Sequence, residues 1–245
     1  MSVHEGKVNP KACTAAIVLA GGHGNRFGVE TGKQLIDLAG KPLMTWSIEA
    51  FDEAEDIGLI VVVYPKERME EYKEIAVDPY NIYTPVLFAP AGQSRQESAF
   101  SGLEFVPDTF EFVLLHDAAR PLVTGEFAMH VINVVKGNID CDGAVVAHPS
   151  IDTLKLVENG EIVGTPDRKM FWNAQTPQVF RAGLYRRAHA SALRDGFLGT
   201  DDSSLIERLG GHVLVVEGSH DNIKLTVPED LLLINTAVKE LHAKD

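Results

Sequence analysis

Two basic residues, Arg26 and Lys33, follow a glycine-rich run, Ala20-Gly21-Gly22-His23-Gly24-Asn25-Arg26-Phe27-Gly28. Glycines let the main chain approach a phosphate chain and aim N–H groups at it. A guanidinium and an ammonium nearby place positive charge where a phosphoryl transition state gathers negative charge. The combination suits a nucleoside triphosphate. Two better-known loops fit less well. A dinucleotide fingerprint needs G-x-G-x-x-G; Gly22 and Gly24 match, but Phe27 holds the third position, and Tyr64-Pro65 stand where the ribose-binding acid is expected. In a P-loop reading Gly32-Lys33 match, but the earlier glycine falls on Phe27 and Gln34 replaces Ser or Thr. A tight turn with solvated cations is the purely structural alternative. It is weakened because both cations emerge just after the first predicted strand, where α/β proteins place their sites.

Other chemistry-bearing residues have structural readings beside functional ones. The nine histidines contain no H-E-x-x-H and no tight cluster. His116, beside Asp117, reads as a strand-end residue held by packing or hydrogen bonds, with catalysis as the alternative. Asp201-Asp202 reads as a helix cap with an acid in the first turn, with acceptor-site organisation as the alternative. Phe171 and Trp172 read as interface or core residues. Arg186, Arg187 and Arg194 fall on one predicted helix and read as a solvated face.

The elements that must position these groups alternate regularly. Buried strands are expected at Thr14–Ala20, Leu59–Val63, Pro85–Ala89, Phe112–His116 and Gly143–Ala147. Helices are expected at Leu43–Ala54, Glu67–Ile75, Gln96–Phe105, Gly125–Lys136, Leu184–Asp195 and Asp202–Gly210. Short strands are read at Val213–Val216 and Ile223–Thr226, and Pro228 is expected to open the last helix. Near-continuous Val/Ile/Leu strands between helices indicate an α/β fold: a mostly parallel, Rossmann-like central sheet covered by helices on both faces. Residues 150–170 break the rhythm. There Asp152–Val157 and Glu161–Gly164 flank Glu158-Asn159-Gly160, and Asn-Gly is a strong hairpin signal. This predicts a projecting β-hairpin arm on a single domain, with a homodimer through the arm expected.

The bulk composition sets bounds. The chain has 245 residues, 45% hydrophobic, and a formal net charge of −13. Such acidity argues against duplex nucleic-acid binding through a basic face, yet a few local cations can hold a phosphate. Cys13 and Cys141 lie beside apolar runs outside any C-x-x-C pattern and read as buried thiols in a reducing compartment. No apolar run approaches a membrane span, and the N-terminus lacks an apolar signal-peptide region, so a cytoplasmic protein is expected. The end at Asp245, soon after the last predicted helix, leaves no room for a second catalytic domain.

Five segments, read jointly, resemble a known family: Ala20–Gly28 with Gly32–Phe51, Gly92–Leu103 (GQSRQESAFSGL), His116–Pro121 (HDAARP), Thr165–Phe180 (TPDRKMFWNAQTPQVF) and Gly199–Asp230. Their order and spacing are similar to the 2-C-methyl-D-erythritol 4-phosphate cytidylyltransferases, of the nucleotidyltransferase A-type fold, over nearly the whole chain from Ala15 to Val238. The resemblance implies transfer of CMP from CTP to a sugar-alcohol phosphate, with magnesium as cofactor. It implies that Ala20, Gly21, Gly22, Gly24 and Asn25 hold the nucleotide. Arg26 and Lys33 would stabilise the transition state. Gly92, Gln93 and Ser98 would read cytosine. Asp117, Ala118 and Arg120 would lie near ribose, metal and acceptor, with Asp117 the protein group nearest magnesium. Thr153 and Arg168 would meet the acceptor from the neighbouring subunit, and Lys224 would grip its phosphate. Three departures stand out: Ala20-Gly21-Gly22 for the frequent Ala-Ala-Gly, Gly32 for the usual Pro before Lys33, and Gln93 where an acid is common. The Ala-Gly-Gly form is commoner among the related ribitol 5-phosphate cytidylyltransferases, which stay the alternative acceptor class. Gly32 in place of Pro predicts a more mobile loop. Rivals of other classes are a dinucleotide-dependent oxidoreductase, which lacks its third glycine and acid, and a non-catalytic nucleotide-binding protein, which would not need Lys33, Arg168 and Lys224.

Overall fold

The computed structural model describes residues 3–4, 6–7, 9–22 and 32–242. Within it, the expected strands appear as β2 (Thr14–Leu19), β5 (Ile57–Tyr64), β6 (Val86–Pro90), β7 (Phe112–Asp117), β8 (Gly143–Pro149) and β12 (Val213–Glu217). They join β1 (Val3–His4) and β11 (Trp172–Arg181) in an eight-stranded sheet ordered β1-β6-β5-β2-β7-β11-β8-β12. The pairs β2·β5, β2·β7, β5·β6 and β8·β12 are parallel; β11 runs antiparallel between β7 and β8. A small ribbon of β3 (Asp37–Leu38) and β4 (Lys41–Pro42) precedes the first helix.

Side chains of the parallel strands alternate between two buried faces, as a sheet covered on both sides requires. Ala16 and Val18 of β2, with Ile60 and Val62 of β5, pack against α1 (Leu43–Asp52), α2 (Met69–Ala76) and α4 (Gly125–Lys136). Ala15, Ile17, Val61 and Val63 pack against α3 (Arg95–Glu104), α5 (Ala182–Asp195) and α6 (Ser203–Arg208). α7 (Asp230–His242) closes a third cluster in which Ile234 and Val238 meet Leu38, Leu43, Ala119 and Leu225. Among the described residues, no helix is long and apolar enough to cross a membrane. Cys141 is buried, Cys13 half-buried, and both are free thiols.

The hairpin forms as β9 (Leu156–Glu158) and β10 (Glu161–Gly164), a two-stranded ribbon outside the main sheet. Asn159 (φ 50°) and Gly160 (φ 86°) occupy its turn, both in the positive-φ region that a type I′ turn requires.

Three expectations are corrected, and one strand, β11, was not anticipated. β11 reads poorly as a strand, because NAQTPQ lacks a β-branched run and contains Pro177. It pairs on both sides because its buried Gln175, Thr176 and Gln178 find polar partners in neighbouring loops. Ile223–Thr226 is no strand; it is a loop fastened by the Leu225 amide to Ala119 O at 2.8 Å. The last helix begins at Asp230, after a turn in which Asp230 Oδ2 accepts from the Thr226 and Val227 amides. Arg186 is not on a solvated face: its guanidinium donates to Leu103 O and Val106 O, tying α5 to the end of α3.

Candidate active site

The sheet order reverses at β2: the chain runs outward through β5 and β6, then returns to place β7 on the other side. Ligands of open α/β sheets bind where strand order reverses, at the carboxyl ends. Register pairs Leu19 with Asp117, so the chain after β2 and the chain after β7 leave the sheet side by side. A cleft of about 280 Å³ opens there. Among the described residues, Gly21, Gly22, Lys33, Gly92, Gln93, Ser98, Asp117 and Lys224 line it, as expected. Leu19, Gln34, Ser94, Arg95 and Ala119 line it as well. Ala20 and Ala118 lie at its base, fully buried, their amides donating to Val63 O and Leu19 O. Gly24, Asn25 and Arg26 lie outside the described residues. Thr153 and Arg168 lie on the arm segment, away from the cleft, where Arg168 Nη1 donates to Ile151 O at 2.6 Å.

The cleft's walls come from three loops. The first is the Gly21-Gly22 strand exit. A Cβ on Gly21 would lie 2.3 Å from the Ala91 Cβ, so close approach to the β6 exit accounts for glycine there. The Ala-Gly-Gly departure is thus explained by packing, without reference to the acceptor. Gln34 Nε2 donates to Gly22 O at 3.2 Å, and Gln34 Oε1 accepts from the Tyr72 hydroxyl at 3.3 Å. Burial raises the Tyr72 hydroxyl to about 12, so it remains a donor at neutral pH. Gly32, at φ 82°, adopts a backbone closed to proline and is buried, with the Tyr72 hydroxyl and the Arg68 guanidinium in the space a Cβ would take.

The second wall is the turn from β6 into α3. Ser94 Oγ accepts from the Glu97 amide at 3.0 Å, an N-cap. Glu97 Oε2 reaches back to the Gln93 amide at 2.9 Å. The Gly92 amide donates to Ser98 Oγ at 3.1 Å, and the Ser98 hydroxyl donates to Ser94 O at 2.8 Å. The three residues expected to read cytosine are therefore held in one hydrogen-bonded turn.

The third wall joins the Asp117–Arg120 turn to the loop after β12. Arg120 Nη1 donates to Asn222 O at 2.5 Å, and Asn222 Nδ2 donates to Thr176 O at 2.9 Å. The docked loop delivers Lys224 Nζ to Asp117 Oδ2 at 2.6 Å, and Lys33 Nζ donates to the neighbouring Leu225 O. Two lysines from opposite ends of the chain thus meet in one cleft. His116 is buried and held: its Nδ1 lies 3.1 Å from Thr176 Oγ1, its Nε2 3.0 Å from Arg120 O, and its ring edge on Phe51. Burial lowers its pKa to about 4, so it is neutral and structural. The packed reading of His116 therefore holds.

Arg95, which carried no expected role, joins two carboxylates. Its Nε lies 3.3 Å from Asp117 Oδ1 and its Nη1 2.5 Å from Asp202 Oδ2. Burial alone would raise the Asp117 carboxyl; Arg95 and Lys224 outweigh it and hold the group well below the usual carboxylate range. The Asp201-Asp202 pair divides its work. Asp201 Oδ1 accepts from the Ser204 amide in the first turn of α6, while Asp202 is buried on Arg95 and the Tyr185 hydroxyl. The signal that could have found Arg95 was its position two residues after Gln93, at the start of α3.

Among the described residues no group of three or more His, Cys, Asp or Glu is placed to hold a metal ion. Among the described residues Asp117 is the single carboxylate lining the cleft, with both oxygens engaged. That donor set fits a hard cation whose other ligands are phosphate oxygens and water.

Comparison with known proteins agrees with the geometry. The family model described as IspD: 2-C-methyl-D-erythritol 4-phosphate cytidylyltransferase matches residues 14–240. A 2-C-methyl-D-erythritol 4-phosphate cytidylyltransferase from Caldanaerobacter subterraneus subsp. tengcongensis is 42% identical over 220 residues, covering 89% of this chain and 96% of that protein. Its namesake from Geotalea uraniireducens is 39% identical, covering 94% and 98%. Among solved structures, the 4-diphosphocytidyl-2C-methyl-D-erythritol synthase of Anaerococcus prevotii superposes with a TM-score of 0.81 at 28% identity, covering 94% of this chain and 99% of that one.

Proposed function

The chain belongs to the 2-C-methyl-D-erythritol 4-phosphate cytidylyltransferase family, and from that premise we propose which of its residues perform the reaction. The enzyme transfers CMP from CTP to 2-C-methyl-D-erythritol 4-phosphate, giving 4-diphosphocytidyl-2-C-methyl-D-erythritol and pyrophosphate in non-mevalonate isoprenoid biosynthesis. The observation that carries the assignment is a family match spanning residues 14–240 whose motifs converge on one cation-lined cleft.

The acceptor's phosphate oxygen attacks the α-phosphorus of CTP in line. A new P–O bond forms as the bond to the β-phosphate oxygen breaks, and pyrophosphate leaves with that electron pair. A phosphate monoester is largely dianionic at neutral pH, so the nucleophile needs no general base. The obstacle is repulsion between anions, and positioning with charge neutralisation supplies the acceleration. Lys33, with Arg26 outside the described residues, faces the α-phosphate. Lys224 holds the acceptor phosphate. Gly21 and Gly22, with Gly24 and Asn25, wrap the triphosphate, while Gly92, Gln93 and Ser98 face the base. Asp117 sets Lys224 and would be the protein group that meets magnesium. When bound, that ion would neutralise triphosphate charge.

The arm completes the picture in a homodimer. Ile151, Leu156, Val157, Ile162, Val163 and Met170 are each more than half exposed on or beside it. An apolar surface of this kind suits a second copy of the chain. Thr153 and Arg168, which do not line their own cleft, would reach the acceptor in the neighbour's. A cytoplasmic location accords with free thiols and with the absence of a membrane-crossing helix among the described residues.

Pyrophosphate release with CTP and magnesium, comparing 2-C-methyl-D-erythritol 4-phosphate with D-ribitol 5-phosphate, tests the reading. Strong preference for the former is expected. Preference for the latter would transfer the enzyme to polyol-phosphate chemistry and overturn the acceptor assignment. NAD(P)H binding without turnover would overturn the enzyme class.

A further inference from the structure

The cleft ends in a line of alternating charges that leads away from any substrate. Lys224 Nζ sits 2.6 Å from Asp117 Oδ2, Asp117 Oδ1 lies 3.3 Å from Arg95 Nε, and Arg95 Nη1 lies 2.5 Å from Asp202 Oδ2. The line stops at the Tyr185 hydroxyl, which donates to Asp202 Oδ1 at 2.5 Å. Asp202 is only 1% exposed and does not line the cleft. A carboxylate that deep is costly unless it is paired and hydrogen-bonded on every side. Arg95 and Tyr185 meet that demand. Arg95 in turn is a rigid planar fork, so fastening one of its nitrogens fixes the plane in which the others act.

We infer that Asp202 is a positioning residue for Lys224: by anchoring Arg95 it sets the face on which Asp117 presents its second oxygen, and so holds the ammonium at the cleft. The inference rests on the assignment of Lys224 to the acceptor phosphate. Without Asp202, Asp117 is the remaining ion-pair partner of Arg95 among the described residues. The guanidinium is then free to turn and take both Asp117 oxygens in the bidentate geometry it favours, displacing Lys224. A pure field effect has the opposite sign. Removing a buried negative charge makes the cleft more positive and would strengthen binding of a phosphate dianion. Positioning and field are therefore separable by the direction of change alone.

The test is steady-state kinetics on Asp202→Asn, which keeps the volume and an oxygen for the Tyr185 hydroxyl. The acceptor KM should rise by roughly tenfold while the CTP KM changes less than about twofold, a split that general loss of structure would not produce. In a Lys224→Ala background the same substitution should raise the acceptor KM no further, because interacting sites are not additive. An unchanged or lowered acceptor KM, equal rises for both substrates, or an additive rise in the Lys224→Ala background would each overturn the inference. Arg95→Lys, which keeps the charge but loses the fork, is the second probe and should show the same split should Asp202→Asn fold poorly; an unsplit response would overturn the inference. If Lys224→Ala alone leaves the acceptor KM unchanged, the assignment of Lys224 fails, and the inference with it. If Lys224→Ala raises it and Asp202→Asn does not, only the positioning role fails.

Discussion

At and behind the cleft, Asp117 and Asp202 are charged yet buried, with Arg95 between them, whereas on the arm Leu156, Val157, Ile162, Val163 and Met170 are apolar yet exposed. Each region departs from the ordinary partition of side chains, in opposite directions. The two buried carboxylates are paired with cations of the same chain, so their cost is met inside it. The exposed apolar groups of the arm have no covering within the described residues, so their cost is met only by another surface. The buried carboxylates find their partners within a single chain, whereas the arm's exposed apolar groups find none among the described residues.

The sharpest way to break this comparison is at Lys33. Lys33→Ala should lower kcat by about two to three orders of magnitude, the scale of losing one transition-state charge partner, with an unchanged melting temperature. Near-normal turnover would remove Lys33 from the chemistry. Next in size is the pH dependence of stability. Burial lowers both His116 and His189 to about 4, below the unfolded value near 6.5. Their stabilisation is therefore complete above about pH 6.5 and is lost as pH falls toward 4, by up to roughly 3 kcal/mol each. Thermal melts of the wild type and of His189→Gln over that range should show the variant less sensitive to acid; parallel curves would contradict the assignment. On the arm, Arg168→Ala should raise the acceptor KM by about tenfold to a hundredfold with CTP binding intact. Mixed with Lys33→Ala under subunit exchange, it should recover about a quarter of wild-type turnover, since a hybrid dimer regenerates one whole site. Failure to recover any activity would place Arg168 in its own subunit's site or outside the reaction. Smallest is Gly160→Ala at the arm turn, where positive φ should cost about 1 kcal/mol and leave the cleft's kinetics at low substrate untouched.

How much of this was legible differs between elements for physical reasons. β2, β5 and β7 are continuous apolar runs, because a sheet covered on both faces buries every residue. α4 has its expected bounds, Gly125–Lys136, because Thr124 caps one end and Gly137 ends the other. The Asn159-Gly160 turn announced itself by its residue types. β11 did not, because the polar residues that disguise it are satisfied by partners distant in sequence, such as Asn222. Arg95 was silent for the same reason, and Asp202 read as part of a helix cap: 107 residues separate the two before the fold brings them within 2.5 Å.

By itself, then, the sequence determined the layer architecture, the glycine loop with its cations, the arm and the family, all of which are written in local periodicity, turn chemistry or motif spacing. Only the tertiary structure decided that Lys33 and Lys224 share one cleft, that His116 is a neutral brace, that Gly21 is required by Ala91, and that Asp202 stands behind Arg95. Those are questions of which charges meet in a low-dielectric interior, and a linear order of residues does not contain the distances on which such meetings depend.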